Sequence, residues 1–242
     1  MSKSTVITRK DMKEPDSFQT AASQAASWLA SRKKHVVVAG AAVVAALLLI
    51  AALSSIRARR EERAGAATAA LLTVIGGEVS STPVPGLPGP TFPTEEARQT
   101  AILQEAEKVI AEFSGAPAAE MARLAKADAQ LRLHRWDAAQ ASYEQYLSGA
   151  PKDDSLRFGA LQGLALVAEG KGDLAGAAKA YERLASEAPR FADRADLERA
   201  RVLAQAGKTA EAKELLAAYP DRHKESFLTP EAADRLTKLG GK

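Results

Sequence analysis

The sequence predicts an all-α chain: a single N-terminal transmembrane helix followed by a solenoid of helical hairpins. Three observations predict it. Residues 36–56 form an uncharged apolar run, residues 82–93 are rich in proline, and the chain beyond them repeats alanines and large side chains at matching places.

The apolar run comes first. Its 21 positions from Val36 to Ile56 include eleven Val, Leu or Ile. As a helix at about 1.5 Å per residue they reach about 31 Å, the thickness of a hydrocarbon core of about 30 Å. Insertion of so many aliphatic side chains is favourable by several kcal/mol, at roughly 0.3–0.6 kcal/mol each. The run lies late for a cleaved signal, and Arg57, Arg59 and Arg60 follow it where a small-residue cleavage site would stand. It therefore reads as an uncleaved anchor. Upstream, Pro15-Asp16-Ser17-Phe18-Gln19 has the form of a capped helix start, and Phe18, Ala21, Ala22, Ala25, Trp28 and Leu29 recur at helical spacing. Two readings stay open for that stretch: an interfacial helix in the headgroup region, or an extension of the transmembrane helix.

Sidedness does not follow from charge. Arg32, Lys33 and Lys34 precede the span, while Arg57, Arg59, Arg60 and Arg63 follow it, and the neighbouring Glu61 and Glu62 count little. The formal net charge of +3 divides unevenly. Residues 1–35 hold seven basic and three acidic side chains, leaving 26 basic and 27 acidic in the remainder. The basic excess thus sits beside the anchor, where it meets anionic lipid, and nucleic acid is not expected as a partner.

After Ile56 the helical pattern continues to Gly76-Gly77, glycines suited to a helix end because they accept left-handed angles. The following TPVPGLPGPTFP holds five of the eleven prolines, which excludes regular helix and central strand. It contains PxxP at Pro85–Pro88 and Pro90–Pro93 without a flanking arginine. An extended spacer of roughly 35 Å, at about 3.1 Å per residue, is the expectation. Thr94 is placed to cap a new helix with Glu95 and Glu96 in its first turn, and Gly115 and Pro117 close it.

Three segments then superimpose: LHRWDAAQASYEQYLSGAP from 133, GKGDLAGAAKAYERLASEAP from 170, and QAGKTAEAKELLAAYP from 205. Ala139, Ala177 and Ala212 align, with Tyr143 and Tyr146, Tyr181 and Leu184, Leu216 and Tyr219 four and seven positions later. Their spacing is near the period of about 34 residues of tetratricopeptide (TPR) repeats. Ala127, Ala165 and Ala200 on each first helix face those alanines, so that antiparallel helices approach closely. Tyr143, Tyr181 and Leu216 fill the gap to the next pair. The turn between the two helices falls at Gly172, at Gly207, and in the first repeat at His134 or Arg135. Helical pairs bury their apolar faces only by stacking, and the helix begun by Thr229-Pro230-Glu231 serves as the closing cap.

This order of tail, single span, stalk, TPR-like repeats and a final helix opened by Thr229-Pro230 and running through Lys238 resembles the YfgM-type ancillary subunits of the bacterial SecYEG translocon. The resemblance implies a Gram-negative inner-membrane protein, N-terminus cytoplasmic and repeats periplasmic. There it would act with the translocon and periplasmic chaperones on client envelope proteins. The proline-rich insert departs from that family. The expected divisions are a cytoplasmic tail at 1–35 with its candidate interfacial helix, the transmembrane helix at 36–56, a helical stalk at 57–77, a Pro-rich linker at 78–94 and a TPR-like domain at 95–242.

No catalytic set emerges. Gly207-Lys208-Thr209 lacks the earlier glycine of a phosphate loop, with Val202 in its place, and Gly170-Lys171-Gly172 with Gly176 misses the dinucleotide spacing. Asp153-Asp154 reads as a helix start. His35, His134 and His223 are scattered and read as interfacial, turn and surface residues, with no metal motif. The absence of cysteine removes thiolate chemistry. The expectation is a non-enzymatic protein-interaction scaffold without cofactor or metal. The alternative is a cytoplasm-facing TPR adaptor tethered to a secretion or pilus assembly machine.

Overall fold

A computed structural model describes residues 17–82 and 89–240. The Asp16 cap and the Pro85–Pro88 motif lie outside them. The chain divides into two units, Met1–Glu61 and Glu62–Lys242.

In the first unit, α1 (Ser17–Ser31) is followed after Arg32 by α2 (Lys33–Ile75). Helical bonding resumes immediately, with Val36 N–H donating to Arg32 O at 3.0 Å. The Arg32 guanidinium lies 5.1 Å from the Trp28 ring centre. Within α2 the apolar run is long enough to cross a membrane, and none of its apolar window is buried. Its valines, leucines and isoleucines stand exposed from Val37 to Ile56, with Val36 half-buried.

In the second unit, the last turns of α2 are part of a folded core. Leu71 is fully buried and clusters with Ala64, Ile102, Ala106, Val109 and Phe113. The stretch expected as a stalk is therefore divided, and its last part, from Glu62 on, belongs to the compact unit. The helix ends at Ile75, but neither Gly76 nor Gly77 is among the left-handed glycines. What Gly77 provides is room, since a Cβ there would stand 2.9 Å from Pro90 O and 2.5 Å from a Phe92 ring carbon.

That close approach belongs to a short parallel pair, β1 (Glu78–Val79) with β2 (Thr91–Phe92), in which Val79 is opposite Phe92. Paired strands lie about 4.8 Å apart. The ends of the proline-rich segment are thus neighbours, and the expected 35 Å spacer is corrected: the segment leaves and rejoins the same place. Arg98 ties the junction by donating to Gly77 O at 3.2 Å. Next door, Thr94 caps α3 (Glu95–Glu112), its hydroxyl accepting from Ala97 N–H at 3.1 Å.

The remaining helices pair in order: α4 (Pro117–Arg132) with α5 (Trp136–Gly149), α6 (Arg157–Gly170) with α7 (Leu174–Glu187), and α8 (Ala192–Gln205) with α9 (Thr209–Ala217). A 3-10 turn at Pro189–Phe191 leads into α8, and α10 (Tyr219–Arg222) and α11 (Thr229–Gly240) close the stack. The turns within the pairs share one geometry. His134, Gly172 and Gly207 have φ of 56°, 77° and 79°. In each, the next residue's N–H reaches back five positions, as Arg135 to Gln130 O, Asp173 to Ala168 O and Lys208 to Leu203 O, each at 2.9 Å. This is the Schellman closure. Between His134 and Arg135, His134 is the residue that takes the left-handed conformation, without the glycine that makes it easy.

Candidate binding face of the helical stack

The nine residues expected to pack the repeats lie in two clusters. Ala127, Ala139, Tyr143, Ala165, Ala177, Tyr181 and Ala212 share the central core, while Ala200 and Leu216 sit in the core under α11. None is more than 2% exposed. Alanine at these places keeps helix axes close, and the space between successive pairs falls to tyrosine. Tyr143 of α5 lies against α6 at Gly163, where any Cβ would overlap its ring. Trp136 lies against Gly170 in the same manner, a Cβ there standing 2.7 Å from the indole.

Two of the four buried tyrosines carry their hydroxyls to a carboxylate on a first helix. Tyr143 donates to Asp128 at 2.5 Å and Tyr181 to Glu169 at 2.8 Å. Burial and these acceptors push both phenols well above their ordinary range. Burial likewise raises Asp128, against the lowering effect of the Tyr143 bond. Glu169 also receives Arg201 at 2.9 Å, Arg201 bonds Glu198 at 2.6 Å, and Arg235 of α11 donates to Leu197 O at 3.0 Å and to Glu231 at 2.6 Å. Burial opposes ionisation of Glu198, but the hydrogen bond and charge of Arg201 and the charge of Arg235 outweigh it and hold its carboxyl below the usual range. The first-helix face over α6, α8 and α11 is thus closed by ion pairs.

Over α4 the face is different. Met121, Leu124, Ala125, Asp128 and Arg132 form one stripe, bordered by Leu72, Ile75, Ile102 and Leu156, around a groove of about 390 Å³. The floor is apolar, and Leu72 and Leu156 are 51% and 40% exposed.

Three buried or bonded positions that hold the stack together escaped the sequence reading. Arg157, buried, donates to Leu147 O at 2.8 Å and Ala150 O at 3.2 Å, serving the carbonyls that end α5, and pairs with Glu187 at 2.9 Å. Asp196 is 1% exposed and accepts His223 Nε2 at 2.9 Å and Arg222 at 3.1 Å. His223 is thereby corrected from surface residue to partner of a buried carboxylate, a role invisible without the 27-residue contact between α8 and the chain after α10. Among the described residues no group of three or more His, Asp or Glu side chains is placed to hold a metal ion.

The repeated Schellman turns and the alanine-lined pairs place the fold, and the family model for the tetratricopeptide repeat-like domain matches residues 26–214. The chain belongs to the tetratricopeptide repeat-like domain family. The match covers the apolar part of α2 as well as the helical pairs through most of α9. No curated protein matches the chain. Tetratricopeptide repeat-like stacks present extended surfaces to protein partners, so this is a protein-interaction scaffold.

Proposed function

We propose that this chain is a single-pass inner-membrane protein whose tetratricopeptide repeat-like domain lies in the periplasm, as an ancillary subunit of the SecYEG translocon. There it binds envelope proteins as they emerge and passes them to periplasmic chaperones. The observation that carries the reading is one chain joining an exposed apolar helix to a helical-repeat interaction domain. Residues 1–35 form the cytoplasmic tail, Val36–Ile56 the span, and the domain acts by binding without a catalytic step.

A second reading keeps the repeats in the cytoplasm as a tethered adaptor for a secretion or pilus machine. The charge flanking the span does not choose between the two, with Arg32, Lys33 and Lys34 before it and Arg57, Arg59, Arg60 and Arg63 after it. Fusion of alkaline phosphatase to the C-terminus separates the two: an active enzyme is expected, and a fluorescent cytoplasmic reporter at the same place would reject the periplasmic reading. In-cell crosslinking from the domain is expected to recover Sec components or envelope chaperones, and recovery of neither rejects the translocon role.

A further inference from the structure

We infer that α1 is a surface helix of the membrane: it lies along the headgroup region on its own side of the span, with Ala21, Ala22, Ala25, Trp28 and Leu29 against the acyl chains. The inference rests on the reading of residues 36–56 as a membrane span and is independent of the compartment the repeats occupy.

Four observations lead there. First, α1 carries an apolar stripe with nothing on it. At about 100° per residue those five positions share an arc of about 120°, and Thr20, Ser23, Gln24, Ser27 and Ser31 fall on the opposite side. Every side chain from Thr20 to Ser31 is exposed, Trp28 and Leu29 at 53% and 48%.

Second, α1 is a separate helix and not the first turns of α2. Arg32 N–H reaches only three residues back, to Leu29 O at 3.2 Å, and the next bond across the junction is Val36 N–H to Arg32 O at 3.0 Å. The end of one helix and the start of the other leave carbonyls and N–H groups for an outside partner. Hydrocarbon supplies none, so the junction belongs at the polar boundary. That speaks against a single helix running on through the bilayer.

Third, the bilayer is the surface in reach. Ser31 stands five residues before Val36, at most about 18 Å even as extended chain. A stripe tethered that close to lipid meets the bilayer before any diffusing protein.

Fourth, the charges are confined to one end. The polar face is uncharged, and Ser23, Ser27 and Ser31 donate their hydroxyls to the carbonyls of Thr20, Gln24 and Trp28 at 2.9, 2.9 and 2.8 Å. Arg32, Lys33 and Lys34 follow at the junction, with the Arg32 guanidinium over the Trp28 ring. Cations at that place lie level with lipid phosphates and the indole just beneath them. The apolar stripe therefore carries the docking, and the cations set its depth.

The chain has no cysteine, so one introduced cysteine carries a nitroxide label without competition. The full chain, in nanodiscs of mixed phosphatidylethanolamine and phosphatidylglycerol, is labelled in turn at Ala22→Cys, Ser23→Cys, Ala25→Cys, Ser27→Cys and, within the span, Val44→Cys. Label collision with oxygen is compared with collision with a water-soluble nickel chelate. Labels at 22 and 25 are expected about 5–10 Å below the headgroup surface, and those at 23 and 27 in water. In about 1 M salt, where screening shortens the reach of charge to about 3 Å, the depth at 25 should hold. Trp28→Ser combined with Leu29→Ser should bring that label into water. The inference is overturned by four α1 labels all in water, by four all buried with depth rising steadily toward the span, by release in high salt, or by a depth at 25 that survives the double substitution. Dipolar broadening at 25 that fades on dilution with unlabelled chain would make a second copy the occupant and overturn it as well. A label at 44 found in water rejects the span itself; one at mid-bilayer, together with any of those results, rejects the surface role of α1 alone.

Discussion

At the scale of single residues, stability in the stack turns on where a Cβ is absent and where it is tolerated under strain. Gly163 sits mid-helix, where glycine costs roughly 1 kcal/mol against alanine, yet a methyl group there would overlap the fully buried Tyr143 ring. Gly163→Ala should therefore destabilise by about 1–3 kcal/mol despite its better helix propensity, the range for overpacking, as a fall in thermal midpoint. The turn at His134 poses the opposite case. Its φ of 56° is shared with Gly172 and Gly207, but only His134 carries a Cβ into that conformation. His134→Gly should stabilise by about 1 kcal/mol, less whatever is lost from its edge-on packing with Trp136 at 4.8 Å. Denaturant midpoints of the two variants check both signs. The alanines and tyrosines that build these contacts recur at the repeat period and so were legible in the sequence. Gly163 was not, because its reason is a side chain on another helix.

At the scale of elements, each helical pair is joined to the next by an arginine that reaches across. Arg157 holds the end of α5 and the end of α7, while Arg201 and Arg235 link α6, α8 and α11 through Glu169, Glu198 and Glu231. These arginines are scattered in sequence and follow no period, which is why the helices and their turns could be read but their fastening could not. The carboxylates in this network give it a pH signature. The folded pKa of Glu198 is lowered from 4.5, so its contribution is fully present above the unfolded value and is lost as pH falls below it through the folded one. Glu187 behaves likewise, its carboxyl held down first by Arg183 and against burial by Arg157. Glu198→Gln should consequently lower the thermal midpoint at about pH 7, and the gap from the parent chain should close as the pH falls below the ordinary carboxylate range. A gap that stays constant with pH would assign the loss to packing of the amide instead of to the missing charge.

At the scale of the whole molecule, the boundary between the units falls inside a helix, between Glu61 and Glu62 in a run of charged side chains. The helical pattern passes through that run from Ile56 to Ile75, so the sequence reads as one stalk. What changes along it is the surroundings: Ala64 and Leu71 lie in the same core as Ile102, Val109 and Phe113, contacts made by residues more than thirty positions away. The parallel pair of β1 and β2 was equally unreadable, since two residues of strand carry no periodicity and their partners flank the prolines. Helical stacks need a terminal element to cover the apolar face of the first pair. In this chain the last turns of α2 are that element, as α11 is at the other end. A fragment of residues 62–242 should then fold as a soluble, cooperative unit, whereas one of 78–242, cut where the sequence places the end of the stalk, loses Leu71 and leaves the apolar side of α3 bare. The shorter fragment should be less stable by about 2–5 kcal/mol, the cost of emptying a buried leucine site, and should bind hydrophobic dye. Urea unfolding of the two fragments decides the matter: equal midpoints would return the end of α2 to the role of a passive stalk.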